Sequence, residues 1–463
     1  MTDTTTVVNP ATEAPLAEVP RRGVEETDET VARSLAAGPG WRAVAPADRA
    51  RLLRRFAALV EEQGEDLAQL ETATVGKAIG DSRDEVGMAA EVLYFYAGAV
   101  DKHRGATVPV AGGVDMTFHE PLGVVAAVVP WNFPIAITSW KVGPALATGN
   151  TIVVKPAEIT PLTALRLAEL ALDAGIPEGV LQVVPGRGSV VGTRLVEHPD
   201  VAKVAFTGST EVGREVMSRA SGTVKRVTLE LGGKSASVVF ADADLERAAA
   251  ATPGGVFANA GQDCCARSRV LVQRTVLERF LELLTDAVAQ WTVGDPTDPA
   301  VKMGPLVTAA HRRVVEGFLA PGMGVPGGGA VEVFATGSVP EGPGFWFPPT
   351  VVAPADPGWR MAREEIFGPV AAVIPFDDEE DAVRLANDTP YGLSGSIWTG
   401  DGARALRMAR AVHSGNLSVN SHSSVRVQTS FGGMKQSGFG RELGLEALAS
   451  YSDVKNVFVS TDD

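Results

Sequence analysis

Residues 151–186 read TIVVKPAEITPLTALRLAELALDAGIPEGVLQVVPG, and this stretch decides the fold. Its two ends, TIVV and VLQVV, are short valine-rich runs with little polar alternation, the pattern of strands covered on both faces of a parallel sheet. Between them Thr160 and Pro161 offer a threonine N-cap and a proline at the first helical position, and the helical pattern ends near Gly175. Strand, helix and strand make a βαβ unit. The same valine-rich signal returns in GVVAAVVP (123–130), KVAFTG (203–208), RVTLEL (226–231) and ASVVF (236–240). Strands alternating with helices predict a doubly wound α/β fold, whose ligands bind at the carboxyl ends of the strands.

Outward from this unit, VVNPATEAPLAEV (7–19) reads as a hairpin, and Asp48 to Leu70 as one helix with Leu52, Leu53, Phe56, Leu59 and Val60 on its apolar stripe. The arginines at 49, 51, 54 and 55 are followed at once by Glu61, Glu62, Glu65 and Asp66, so they read as a solvated face and not a binding patch. A second α/β region runs from about Lys234 to Gln436, broken by PGMGVPGGGA (321–330), read as a surface loop, and by PEGPGFWFPPT (340–350). VDMTFHEP (114–121) and KNVFVS (455–460) stand apart from both cores and are expected to pair between subunits. The expected division is a first domain over 1–101 and 122–232, a second over 233–436, and a bridging, oligomerising segment over 102–121 and 437–463.

Composition excludes several classes of function. Two cysteines, adjacent at 264 and 265, cannot build a disulfide framework, so reduced thiols are expected. Against 56 acidic residues stand 41 basic ones, a net charge of −15 that repels a phosphate backbone and argues against nucleic acid. Six histidines without metal-ligand spacing argue against a metal site. MTDTTTVVNP resembles no signal peptide, and no apolar run is long enough to span a bilayer, so a cytoplasmic location without a membrane partner is expected.

Two glycine motifs follow strands. PGRGSVVG (185–192) approaches a dinucleotide-binding fingerprint through Gly186, Gly188 and Gly192, but its last spacing is one residue too long. In FTGSTEVGREVM (206–217), Gly208 and Gly213 bracket a helix start whose N–H groups suit a pyrophosphate; an ordinary capped turn explains the glycines equally well.

PWNFP (130–134), KPAE (155–158), FTGSTEVG (206–213), LELGGK (229–234), GQDCCARSR (261–269), EEIFGPV (364–370) and FGGMKQSGFGREL (431–443) occur in the order of the aldehyde dehydrogenase superfamily, and the resemblance covers essentially the whole chain. It implies a Rossmann-like doubly wound cofactor domain, an α/β catalytic domain, a small β element for oligomerisation into a homodimer or homotetramer, and NAD as cofactor, with NADP possible. It makes Cys264 the nucleophile, a role cysteine suits because the sulfur is strongly nucleophilic and an aldehyde accepts it reversibly. Extended neighbours face opposite ways, so Cys265 is expected to be an inert small hydrophobe. The resemblance makes the Asn132 amide, with the Cys264 N–H, the donor to the alkoxide. It makes Glu230 the base that hydrolyses the thioester, and a glutamate between two leucines at a strand end should have a raised pKa.

By the same resemblance Lys155 and Glu158 hold the adenosine ribose. Gly188, Gly208, Ser209 and Gly213 lie near the phosphates, and Glu365 and Phe367 reach the nicotinamide half. Trp131 walls the cofactor. The charge of Glu158 should repel a 2′-phosphate, and Lys155 also belongs with the catalytic set. For the aldehyde pocket the resemblance points to Met88, Phe133, Ile137 and Trp140; Arg426 and His422 from NSHSSVRVQTS (420–430) are unusual there and either can meet a substrate carboxylate, although an exposed arginine with no ligand is the more ordinary reading of Arg426. These features resemble the branch that oxidises betaine aldehyde, aminoaldehydes and γ-glutamyl-aminobutyraldehyde. Two rivals are a coenzyme A-acylating semialdehyde dehydrogenase, against which Glu230 speaks, and a catalytically silent binding protein on the same fold, against which Asn132, Glu230 and Cys264 together speak. Nothing in the sequence pairs His422 with Cys264 as a cysteine protease requires.

Overall fold

A computed structural model describes residues 3–320 and 333–461. Its first large sheet runs in the order Gly438–Phe439, Arg226–Glu230, Val201–Thr207, Val124–Val128, Thr151–Lys155 and Leu181–Val183, parallel except for the short Gly438–Phe439 strand. Successive residues of the central strands enter different cores: Val124, Ala126 and Val153 pack on one face, and Val125, Ala127, Ile152 and Val154 on the other. That two-sided burial is why their sequence shows valine runs without alternation. From Val124–Val128 the chain moves outward through two strands, then returns to build Val201–Thr207 and Arg226–Glu230 on the other side. The order therefore reverses between Val124–Val128 and Val201–Thr207. Neighbouring loops diverge at such a point and leave a crevice. The loops here are residues 129–133 and 208–209, which carry PWNFP and FTGS.

Among the described residues, the second large sheet has the order Val333–Thr336, Thr350–Val352, Val370–Phe376, Arg269–Gln273, Ala236–Val239, Ser394–Trp398 and Asn416–Val419, parallel except for Val333–Thr336. Residues 231–235 carry the chain from the carboxyl end of Arg226–Glu230 directly to the amino end of Ala236–Val239. The crevice of the first sheet therefore opens toward the amino edge of the second.

Several expectations need correction. The helix read over Asp48–Leu70 is two helices, Pro46–Glu62 and Gly64–Val75. Gln63 sits at the break, and its side-chain oxygen accepts from Arg166 Nε and Nη2 at 3.0 and 2.7 Å. Thr160 is not an N-cap: the helix is Leu162–Asp173, Pro161 occupies the cap, and Thr160 Oγ1 is buried without a partner. PGRGSVVG forms a single π turn over Gly188–Gly192. VDMTFHEP and KNVFVS pair with each other within one chain, since strands Gly113–Pro121 and Ser452–Ser460 are antiparallel from Ser452↔Pro121 to Ser460↔Gly113. The segment from 437 is not wholly outlying, because Gly438 pairs with Glu230 in the first sheet. The hairpin holds, as Thr4–Val8 and Pro15–Pro20, and Gly175 is left-handed with φ +89°. PGMGVPGGGA lies outside the described residues. No helix among them is long and apolar enough to cross a membrane.

Candidate active site

Cys264 is reached through an unusual piece of backbone. Asn259, Ala260 and Gly261 have φ of +49°, +55° and +69°, three consecutive left-handed residues of which only glycine adopts that region freely. Strain of this kind persists only where surrounding contacts fix it. Here the contacts are amide side chains. Asn259 Nδ2 donates to Asn132 O at 3.0 Å, Asn132 Nδ2 donates to Gln262 O at 2.9 Å, and Gln262 Oε1 accepts from Val307 N–H at 2.9 Å. The PWNFP loop of the first sheet and the cysteine loop of the second are thus tied to each other. One Asn132 N–H is used in that tie, and the amide carries a second.

The two cysteines lie in a turn, not in an extended strand, so they do not face opposite ways. One ligand atom each from Asp263, Cys264 and Cys265 lies within 4.8 Å of the others, and both thiols border the larger of two chambers. What separates them is that Cys264 also borders the smaller chamber, while Cys265 is buried behind it. The Cys265 thiol against it, and then burial, push the Cys264 thiol well above the usual cysteine range.

Glu230, like Cys264, borders both chambers. It is buried and neither carboxylate oxygen has a hydrogen-bond partner. Burial raises its pKa well above the carboxylate range and Glu442 adds to the rise, with Lys141 and Arg441 opposing. The double glycine of LELGGK is steric: a Cβ at Gly232 would stand 2.2 Å from Glu365 Oε2, and one at Gly233 would stand 2.4 Å from the Cys264 carbonyl oxygen. The Gly233 N–H donates to Glu365 Oε1 at 2.9 Å, while burial lifts the Glu365 carboxyl to about 7.

The smaller chamber, about 250 Å³, is lined by Trp131, Asn132, Gly208, Ser209, Glu365 and Phe367 together with Cys264 and Glu230. Most of the expected cofactor residues therefore converge at the strand-order reversal. His311, which sequence reasoning missed, completes an aromatic cluster: its Nε2 stands 2.7 Å from Phe367 O, and Trp131 meets both rings edge-on. The Gly213 N–H donates to Ser209 O, and a Cβ there would stand 2.6 Å from Leu231 Cδ2, so this glycine lets its helix pack against Leu231. The Gly208 N–H is likewise taken, by Glu230 O. Lys155, Glu158 and Gly188 gather away from the chamber lining, where Glu158 Oε1 accepts from Gly188 N–H at 3.2 Å and its Oε2 lies 3.9 Å from Arg21 Nε. Lys155 is buried, which lowers its pKa, with Glu158 opposing.

The larger chamber, about 360 Å³, is lined by Met88, Phe133, Ile137 and Trp140 as expected, with Phe431 edge-on to Trp140. Arg426 does not line it: the side chain is exposed and donates to Ser423 Oγ and Val425 O. His422 does line it, but burial first and Arg267 second lower its pKa to about 3, so it is neutral and cannot pair with a carboxylate as a cation. Acidic residues that the sequence reading passed over face the same space, namely Asp81, Asp84, Glu85 and Asp263.

Residues 1–457 match the aldehyde dehydrogenase family. The NADP/NAD-dependent aldehyde dehydrogenase PuuC of Escherichia coli (strain K12) is 42% identical over 99% of this chain and 93% of its own length. A betaine aldehyde dehydrogenase of Mesorhizobium japonicum is 41% identical over 99% and 94%. The crystal structure of PnpE from Pseudomonas sp. WBC-3 in complex with nicotinamide adenine dinucleotide superposes with a TM-score of 0.95 at 42% identity, covering 100% of this chain and 95% of PnpE. With its seven motifs in order, its two sheets and its whole length matched, the chain belongs to the aldehyde dehydrogenase family.

Proposed function

We propose that this protein oxidises an aldehyde to a carboxylate with NAD as the electron acceptor, through a thioester on Cys264 that Glu230-activated water hydrolyses. The observation that carries this reading is the shared boundary: Cys264 and Glu230 each face both chambers, so one can attack a substrate held in the larger while the smaller receives the cofactor. The residues present fit a nicotinamide cofactor, because the smaller chamber lies at the strand-order reversal where such folds bind dinucleotides, and the buried Thr207 Oγ1 beside it lacks a partner. When bound, the nicotinamide supplies a hydride acceptor.

The resting Cys264 is a neutral thiol, so attack requires its proton to leave. Glu230, desolvated and without hydrogen bonds, is a strong proton acceptor once ionised. As the C–S bond forms, the carbonyl π pair moves to oxygen, and the second N–H of the Asn132 amide supports that charge. The oxygen pair then re-forms C=O as the hydrogen of the former aldehyde carbon departs with its electrons, leaving the thioester. Glu230, having passed the Cys264 proton to solvent, next takes one from water as the hydroxyl adds to the thioester carbon; the Cys264 sulfur then leaves as a thiolate and regains a proton, and the acid is released as a carboxylate.

Aldehydes carrying an amino or ammonium group suit the larger chamber. Glu85 is paired with Lys77 and Glu442 with Lys141, which leaves Asp81, Asp84 and Asp263 as its acidic lining beyond Glu230. Against these carboxylates stands Arg267 in the same lining, outnumbered, so a carboxylate-bearing substrate would meet net repulsion there. Arg21 beside Glu158 softens the repulsion expected for a 2′-phosphate, so NADP is accommodated less well than NAD but not excluded. The same reading includes a soluble cytoplasmic enzyme that forms a dimer or tetramer through the sheet holding Ser452–Ser460. NAD(P)H absorbance with a panel of plain, ω-amino and carboxylate-bearing aldehydes, with and without coenzyme A, tests the reading. Turnover independent of coenzyme A and fastest for the ω-amino compounds supports it, and absence of turnover overturns it.

A further inference from the structure

The helix Pro134–Ala147 begins directly after Asn132 and Phe133, yet its N-cap residue, Phe133, supplies no side-chain cap. Proline at the first position has no N–H, so Ile135 and Ala136 carry the first free donors. Two distant carboxylates meet them: the Ile135 N–H donates to Glu71 Oε1 at 3.3 Å, and the Ala136 N–H to Glu85 Oε1 at 3.2 Å. Glu71 comes from helix Gly64–Val75 and Glu85 from helix Ile79–Ala99. Lys77, in the link between those helices, has a fully buried side chain, forms an ion pair with Glu85, and places its Nζ 4.2 Å from the centre of the Phe133 ring. Burying an ion pair costs more than packing apolar residues unless each charge is otherwise satisfied. Here one cation holds one carboxylate and one aromatic ring, and both carboxylates neutralise the positive end of the helix that follows Asn132.

We propose that Glu71, Lys77 and Glu85 are positioning residues that fix the start of Pro134–Ala147 and thereby the stance of Asn132, which lines the smaller chamber beside Cys264. This rests on the reading of Asn132 as the oxyanion donor given above. Because that donor acts only as negative charge develops, a loosened helix start lowers kcat and leaves substrate binding little changed.

Two readouts test the proposal in the full chain. Hydrogen exchange over residues 132–137 reports the helix start itself, and steady-state kinetics with an aldehyde and NAD report its consequence. Lys77→Met is expected to speed exchange there and to lower kcat by about tenfold or more, with KM for the aldehyde within about twofold. Adding Glu85→Gln to Lys77→Met removes the stranded charge, keeps an acceptor for Ala136, and should recover most of the loss. Glu71→Leu should behave like Lys77→Met, and Glu71→Gln, whose amide oxygen still accepts, should lose much less; this pair carries the comparison if Lys77→Met does not fold. Unchanged exchange, changed exchange with unchanged kcat, or kcat and KM moving together without recovery would each overturn the proposal. Should the wild-type protein reduce no NAD(P) with any aldehyde, the functional reading falls, while the exchange data still decide whether these residues set the helix start.

Discussion

Cys264 and Cys265 share a turn and a chamber, and Cys264 differs in reaching the second chamber and in being less buried. Replacing Cys264 by alanine should therefore abolish aldehyde oxidation, while Cys265→Ala keeps most of it; equal losses in NADH formation would refute the assignment. Asn132→Ala should lower kcat by about 10²–10³, the usual effect of removing one oxyanion donor, as measured by steady-state turnover. The raised pKa of Glu230 gives its proposed role as base a definite sign: the carboxyl is protonated at low pH and would act only when ionised, so kcat should rise with pH through an ionisation above the ordinary carboxylate range. A pH profile flat across the neutral range would contradict that. At this scale the residues that the sequence motifs single out, Cys264, Glu230, Asn132, Glu365 and Phe367, all line the smaller chamber, and each sits in a distinctive local pattern. An arginine in a loop carries no signal of which way it points, which left two readings of Arg426 open; the exposed one holds, with the side chain turned back on Ser423 and Val425. Lys77 and Glu71 gave no signal because their partners are the backbone N–H groups and ring of a segment far along the chain.

Elements place these residues through backbone contacts that side chains would obstruct. Gly233 is one such case, since a methyl group there would collide with the carbonyl of Cys264, a backbone atom that cannot swing away. Gly233→Ala should cost about 1–3 kcal/mol of stability and most of the activity, measured by thermal unfolding and turnover; a variant with wild-type values for both would show that the loop is freer than its geometry implies. The strands and the βαβ unit were legible because two-sided burial writes itself into valine runs. The helix break at Gln63 was not, because its apolar stripe continues past the break and the side chain that marks it is satisfied by Arg166 from another helix. The left-handed run at 259–261 was hidden for a related reason: Ala260 has no intrinsic preference for that region, and contacts with residues far along the chain, Asn132 and Asp81 among them, help hold the loop.

On the scale of the whole molecule, the sheet built from Gly113–Pro121 and Ser452–Ser460 leaves Val454, Phe458, Val459 and Phe118 exposed, at 64%, 52%, 47% and 45%. Apolar residues grouped on one outlying sheet suit a contact between copies of the chain, so light scattering should find a dimer or a tetramer, and a stable monomer would contradict that expectation. The central claim is that one subunit carries out two chemical steps on one sulfur, with Glu230 needed above all for the second. The measurement that tests it most directly is rapid-quench mass spectrometry of Glu230→Gln after mixing with an aldehyde and NAD. We expect an acyl adduct to accumulate on the peptide containing Cys264, together with about one NADH per subunit. Normal turnover with no adduct, or an adduct confined to Cys265, would contradict the account.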